Sequence, residues 1–364
     1  WQLFPVYQPS LRANCEGAPW SMKIIKNIRG YLSCFCWQYF PKVAFAYSHN
    51  VDKYQSQAFY KRFLRDIKDS LNVDFVAMSR LQELHETSKI VVAIRHDVDY
   101  DIHAALALAR IEHALGITAS YYFLHTAPYY GFRDSSGKIT RYLQTIRRFK
   151  KIQSLGHEIG LHIDTLNDYL SYGIPPETTL KNELEFLRRS GINVVGVASH
   201  GSLHNYGASN YEIFEGMSID GRTDFEDRNG VLHRNVLGNI SLKKYNLLYE
   251  ANFIIRSSIV NAEEYERLWK GKFKCPWKYT DKMHCNYDYR IGIWGRDFWT
   301  VYNFKEDTFS ICTTEEIFEI LTKISSGKRV VLDIHPVYVS RAKDVLILNS
   351  LFKCVKSMYR MITK

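Results

Sequence analysis

The chain lacks any long hydrophobic run: nowhere in its 364 residues do eighteen apolar residues follow one another, so the sequence offers no transmembrane helix. It lacks low-complexity segments too, and 46% hydrophobic with 24% charged residues is the ordinary make-up of a folded protein. A disulfide framework is missing. The seven cysteines are odd in number and irregular in spacing, and the closest pair, Cys34 and Cys36, is a C-x-C with no second pair to complete a zinc knuckle. Reduced thiols in a reducing compartment are the simpler expectation, which points to the cytoplasm, with association to a membrane compatible. Because the sequence opens on Trp1 rather than Met, an upstream signal peptide and an extracytoplasmic site stay open. The net charge of +10 is scattered. No stretch interleaves basic and aromatic residues as a nucleic-acid groove would, so nucleic acid is not an expected partner. Attraction to anionic glycans or to the inner leaflet of a membrane fits the charge equally well.

What is present begins quietly. Residues 1–89 read as an N-terminal helical extension. Met22–Tyr39 mixes Lys23, Lys26 and Arg29 with Ile24, Ile25, Ile28, Leu32, Phe35 and Trp37 at helical spacing. A helix packed on the main domain is the plain reading, and a peripheral membrane-surface helix the sharper one. Gln57–Leu71 reads as a second amphipathic helix, with Phe59, Phe63, Leu64 and Ile67 on its apolar side. Residues 341–364 read as a basic amphipathic C-terminal helix.

Between them, over residues 90–340, a cadence sets in. Helices over about Ile102–Leu115, Tyr142–Leu155 and Thr178–Arg189 are closed by Gly116, Gly156 and Gly191, and each is followed by a β-rich run. Thr313 with Glu316 forms a capping box for a helix through Ile324, Gly327 closes it, and KRVVLDIHP follows. Helix, glycine stop and buried strand, repeated, predict an α/β fold with a parallel sheet. Ser202–Thr300 is less regular, with a possible strand at Asn252–Ser257.

The densest chemistry lies at Ile90–Asp101, IVVAIRHDVDYD. It starts as a continuous apolar run, the mark of a strand buried on both faces. Alternation then places Arg95, Asp97 and Asp99 on one side, His96 and Val98 on the other. Two carboxylates on one face at the end of a core strand are costly unless positive charge sits between them. Arg95 in a salt-bridge network, or a metal ion, would supply it; a loop emerging into water is the bland alternative. Against the bland reading, His125, His162 with Asp164, His200 and His335 also fall at the C-terminal ends of predicted strands, the edge where parallel β/α folds build their sites. Imidazoles with carboxylates suit a divalent metal such as zinc.

In that order, "RHDVDYD", "GHEIGLHID", "YEANFIIRSS" and "DIHPVYV" resemble the polysaccharide deacetylases of the NodB-homology type (carbohydrate esterase family 4), over about residues 90–340. The resemblance implies a distorted or incomplete (β/α) barrel and a metal-dependent hydrolase of C–N bonds other than peptide bonds. Its substrate would be an N-acetylated carbohydrate, an amino sugar or polysaccharide precursor that loses its acetyl group. By that match Asp97 resembles the catalytic base, Asp99 and His162 metal ligands, and His335 the acid toward the leaving amine. The family usually has adjacent aspartates where Val98 here separates two, and a second histidine where Leu166 stands. His200, in a place where the family commonly has an arginine-proline segment, would supply the missing imidazole, with Asp164 the competing candidate. His157 falls in a structural part of the motif, at an offset that points it away from the site. Of Tyr121, Tyr122, Tyr129, Tyr130, Trp294 and Trp299, some would be sugar-stacking platforms and most core or rim. Two alternatives remain: a hydrolase of a small non-peptide amide on the same fold, and a catalytically inactive glycan-binding member.

Overall fold

The computed structural model describes residues 56–83, 87–201, 206–251, 287–293, 299–304, 306 and 308–339. The helices read at Met22–Tyr39 and over residues 341–364, the strand read at Asn252–Ser257 and Trp294 lie outside them. In chain order come α1 (Gln57–Ser70), β1 (Val73–Val76), α2 (Met78–Glu83), β2 (Ile90–Val98), α3 (Ile102–Ala114), β3 (Ala119–Leu124) and a β4–β5 hairpin (Gly131–Arg133 and Ile139–Arg141). Then follow α4 (Leu143–Ser154), β6 (Glu158–Ile163), α5 (Thr165–Tyr172), α6 (Pro176–Arg189) and β7 (Val194–Ser199). Short strands β8 (Phe225–Glu226), β9 (Leu232–His233) and β10 (Tyr249–Glu250) lead to β11 (Tyr289–Ile293), β12 (Trp299–Asn303) and β13 (Thr308–Cys312). α7 (Thr314–Lys323) and β14 (Arg329–Ile334) are the last α-helix and strand among the described residues.

The main sheet runs β10-β7-β6-β3-β2-β14-β11-β12-β13. It is parallel as far as β11, and β12 and β13 add an antiparallel edge. The predicted α/β class with a parallel sheet is what the described residues show. β2 lies at its middle with every residue buried. β1 pairs with its first half, β3 with its second half and β14 along its other edge.

The two faces of β2 go to different layers. Ile90, Val92 and Ile94 pack with Tyr60, Phe63, Leu64 and Ile67 of α1, Leu108 of α3, Phe149 of α4 and Leu184 of α6. Residues 56–76, which fall in the stretch read from the sequence as an extension, therefore share this core and, through β1, this sheet. On the opposite face Val91, Ala93, Tyr122, Tyr249 and Val331 pack with Met78 and Leu81 of α2. That face needs bare backbone under its aromatic rings: a Cβ on Gly160 or Gly196 would collide with the ring of Tyr122 or Tyr249. The expected helix stops are present; Gly156, for instance, takes the left-handed φ of +87° that a side chain would resist. The Thr313–Glu316 capping box is formed. Among the described residues no helix is long and apolar enough to cross a membrane, and Cys312, the cysteine among them, is a free thiol.

A buried carboxylate ties the helical layer to β2. Glu112 of α3 is fully buried and meets His96 Nε2 at 2.6 Å, while the hydroxyls of Tyr60 and Tyr121 each donate to it at 2.6 Å. Burial pushes its carboxyl pKa up, but His96 and these hydrogen bonds outweigh burial and hold it below the usual range. A carboxyl whose pKa falls on folding stabilises the fold above its unfolded value of about 4.3, and that stability is lost as pH falls through the lowered folded value. Glu112→Ala strands three buried polar partners and should cost on the order of 3–5 kcal/mol in urea unfolding. In Glu112→Gln the loss of stability between neutral and acid pH should be smaller than in the wild type; equal acid losses would remove Glu112 from the acid response.

Candidate metal centre

Alternation along β2 brings Arg95 and Asp97 together. Arg95 Nε donates to Asp97 Oδ1 at 2.8 Å and Nη2 to Oδ2 at 2.5 Å, a two-pronged pairing that offsets the cost of burying both charges. Burial alone would raise the Asp97 pKa, but Arg95, His162 and His335 hold it far below the ordinary carboxylate range. Arg95 Nη1 also donates to Ala251 O at 3.1 Å. Asp333, the residue opposite Arg95 on β14, takes Arg290 on its Oδ2 and leaves Oδ1 facing Arg95 Nε and His335 Nδ1, each at 4.0 Å. Asp333 escaped the sequence reading although it stands two residues before His335, on the same face; Arg290 carried no signal at all.

Asp99, His162 and His200 form a group able to hold a metal ion, with one donor atom of each within 4.8 Å of the others. They arrive from three strand ends: Asp99 just past β2, His162 inside the end of β6, His200 just past β7. β6 and β7 pair so that His162 stands opposite Ala198, and the backbone N–H of His200 bonds to Ile163 O at 2.8 Å. His162 Nδ1 lies 2.8 Å from Ala198 O. A carbonyl only accepts, so that nitrogen carries the hydrogen and Nε2 keeps the lone pair. This lone pair faces Asp99 Oδ1 at 3.3 Å and Asp97 Oδ2 at 3.7 Å, an arrangement of electron-rich atoms that calls for a proton or a cation between them. Asp99 Oδ1 is buried and makes no hydrogen bond of good geometry. The donor set and this crowding fit a divalent ion.

Asp164, the competitor for the third position, stands behind His200, with Oδ2 3.5 Å from His200 Nδ1. It accepts from Asn210 Nδ2 at 3.0 Å, Tyr206 OH at 3.3 Å and Thr126 Oγ1 at 3.4 Å. It precedes α5 yet makes no cap hydrogen bond to that helix, whereas Asp101 caps α3 through His103 N and Ala104 N at 3.1 and 2.9 Å. The spare carboxylate of "RHDVDYD" is thus structural, while that of "GHEIGLHID" is turned to His200. Burial lowers the His200 pKa, but Asp164 outweighs it and raises it to about 9. Leu166, at the position of the family's second histidine, is fully buried in the core.

His335 stands beside this group, Nε2 3.5 Å from Asp99 Oδ2. His125 does not join it: its Nε2 lies 3.2 Å from Asp168 Oδ2, and Asp168 also holds Arg133 at 2.8 Å. His157 points away, its Nε2 2.8 Å from Ala109 O. Tyr121, Tyr122, Tyr129, Tyr130 and Trp299 are at most 1% exposed, so none of these five is a stacking platform. Among the described residues, Tyr100, Tyr206 and Tyr338 are aromatic side chains near the centre and partly exposed. Neither a scan against protein-family models nor a search of curated proteins gives a match to the chain.

Zinc(II) titration of variants tests the donor set. His162→Ala should abolish tight binding with an unchanged circular dichroism spectrum. His200→Ala should cost more affinity than Asp164→Asn, whose loss should be about 10–100-fold, as for an orienting neighbour of a ligand; the reverse ranking would make Asp164 the donor. Because His200 must lose a proton to bind, apparent affinity should rise about tenfold per pH unit below pH 9.

Proposed function

We propose that this protein is a metal-dependent hydrolase that removes an N-acetyl group from an amino sugar or polysaccharide precursor. Its scaffold would be a distorted or incomplete (β/α) barrel of the polysaccharide deacetylase type, and its metal zinc. The observation that carries the reading is the convergence of Asp99, His162 and His200 within 4.8 Å, with Asp97 and His335 each within 3.7 Å of a member of that trio. The four sequence motifs of the resemblance support the same reading.

Asp99, His162 and His200 would hold the ion, which when bound supplies Lewis-acid polarisation of the acetyl carbonyl and a water acidified toward a pKa of ~7. Asp97 is ionised at every relevant pH, because Arg95 clamps both of its oxygens. The same clamp makes it a weak base, so it can take a proton only from a water already made acidic. His335 faces the opposite side of Asp99 and would deliver a proton to the departing sugar nitrogen. A free amine anion is a very poor leaving group, so the step requires that proton. The buried surroundings of Asp97 keep bulk water from screening these charges.

Acetate release from N-acetylglucosamine oligomers, with zinc loaded, tests the assignment. Asp97→Asn should retain metal and lose turnover. His335→Ala should slow amide cleavage by roughly 10²–10⁴-fold, and should slow cleavage of an activated acetyl ester much less, since a good leaving group needs no proton. Equal losses on both substrates would make His335 an orienting residue, and full activity in Asp97→Asn would place the base elsewhere.

A further inference from the structure

Asp164 occupies the N-cap position of α5, where an aspartate ordinarily accepts a hydrogen bond from the second or third N–H of its helix. It accepts none there. The Leu166 N–H, second in the helix, donates instead to Oδ1 of Asn210 at 2.9 Å, across 44 residues of chain. The Thr165 hydroxyl donates to the same oxygen at 3.3 Å. A backbone N–H only donates, so the amide oxygen is fixed on that side, and Nδ2 is left facing two acceptors. It donates to Asp164 Oδ1 at 3.0 Å and to the backbone oxygen of His200 at 3.2 Å. A primary amide has two donors and two acceptor positions, and those of Asn210 are all engaged between the start of α5 and the metal centre.

Asn210 is itself held firmly. It is fully buried and opens a short 3₁₀ turn, Asn210–Ile213. Ser209 and Glu212 close a capping box over that turn, with Ser209 N donating to Glu212 Oε1 at 2.8 Å. Arg222 grips the same buried Glu212 through Nε and Nη2, both at 2.7 Å. A side chain supported in this way can impose its geometry on the residues it touches. With the helix N–H satisfied from outside, the Asp164 carboxylate has no cap to make, and it stands with Oδ2 3.5 Å from His200 Nδ1. The same amide fixes the His200 backbone from the other side. Without Asn210, the Leu166 N–H would be an unsatisfied donor beside one of the preferred capping side chains, and Asp164 would turn back to it. His200 would then lose its partner.

We propose that Asn210 is a positioning residue of the metal centre: by capping α5 in place of Asp164, it turns the Asp164 carboxylate onto His200. The inference rests on the metal reading of the centre. Calorimetric zinc(II) titration of the full chain, of Asn210→Ala, of Asp164→Ala and of the double variant tests it, with urea unfolding of each in EDTA. Each single variant should weaken zinc binding about 10–100-fold, the range for a residue that orients a ligand. The double variant should bind no more than about threefold more weakly than the weaker single, because the orientation of an absent carboxylate has no effect. Its urea midpoint should fall below those of both singles, since neither cap remains. A purely structural Asn210 would instead multiply the two losses of affinity. If Asn210→Ala does not fold, Asn210→Asp takes its place. It keeps an oxygen for Leu166 N but as a carboxylate offers Asp164 no donor, so it should fold and still weaken zinc binding at least about tenfold. Multiplied losses, or a zinc affinity within about twofold of wild type in the folded Asn210 variant, would overturn the proposal and leave the metal reading intact. A wild-type chain that binds no zinc would overturn both.

Discussion

Four carboxylates crowd one edge of the sheet with almost no water: Asp97, Asp99, Asp164 and Asp333 are each at most 9% exposed. Burying that much negative charge is affordable only if positive charge comes with it. Guanidinium groups settle two of the four, Arg95 on Asp97 and Arg290 on Asp333. Imidazoles face the other two. Asp99 and Asp333 each keep one buried oxygen without a good hydrogen bond; that of Asp333 faces Arg95 at 4.0 Å, whereas that of Asp99 faces His162 in the trio with His200, which makes Asp99 the natural partner for a cation.

β2 carries this constraint into both layers of the molecule. Arg95 and Asp97 face the polar edge, while His96 between them reaches through the opposite face to Glu112. Glu112 in turn holds Tyr60 of α1 and Tyr121 of β3. Asp101 then fixes the start of α3. Asp99 is therefore flanked on both sides by residues that cannot move independently of the core. That rigidity is what a metal ligand needs, because its donor atom must be held close to a productive position.

Much of the scaffold was legible in the sequence, for physical reasons tied to particular elements. β2 and β14 are buried on both faces and so carry apolar runs, residues 90–94 and 330–332, before their polar ends, and α3, α4 and α6 end where their glycines allow. α5 was not read, because its eight residues follow directly on "HEIGLHID" and are too few to show a helical period. The β4–β5 hairpin was missed as well: its strands are three residues each and only partly buried. The tyrosine density was legible, but not which tyrosines are walls and which stand near the centre.

The sequence by itself determined that acidic and imidazole groups would gather at the C-terminal ends of parallel strands, since alternation and strand ends are local properties. It also determined that Arg95 and Asp97 share a face, because two residues along a strand always do. Only the tertiary structure groups His200, rather than Asp164, with Asp99 and His162. That choice depends on the pairing of β6 with β7, which brings the end of one strand beside the end of the other and sets His200 toward Asp99 with Asp164 behind it. Register between strands distant in sequence is fixed by the packing of the whole sheet, and no local pattern encodes it.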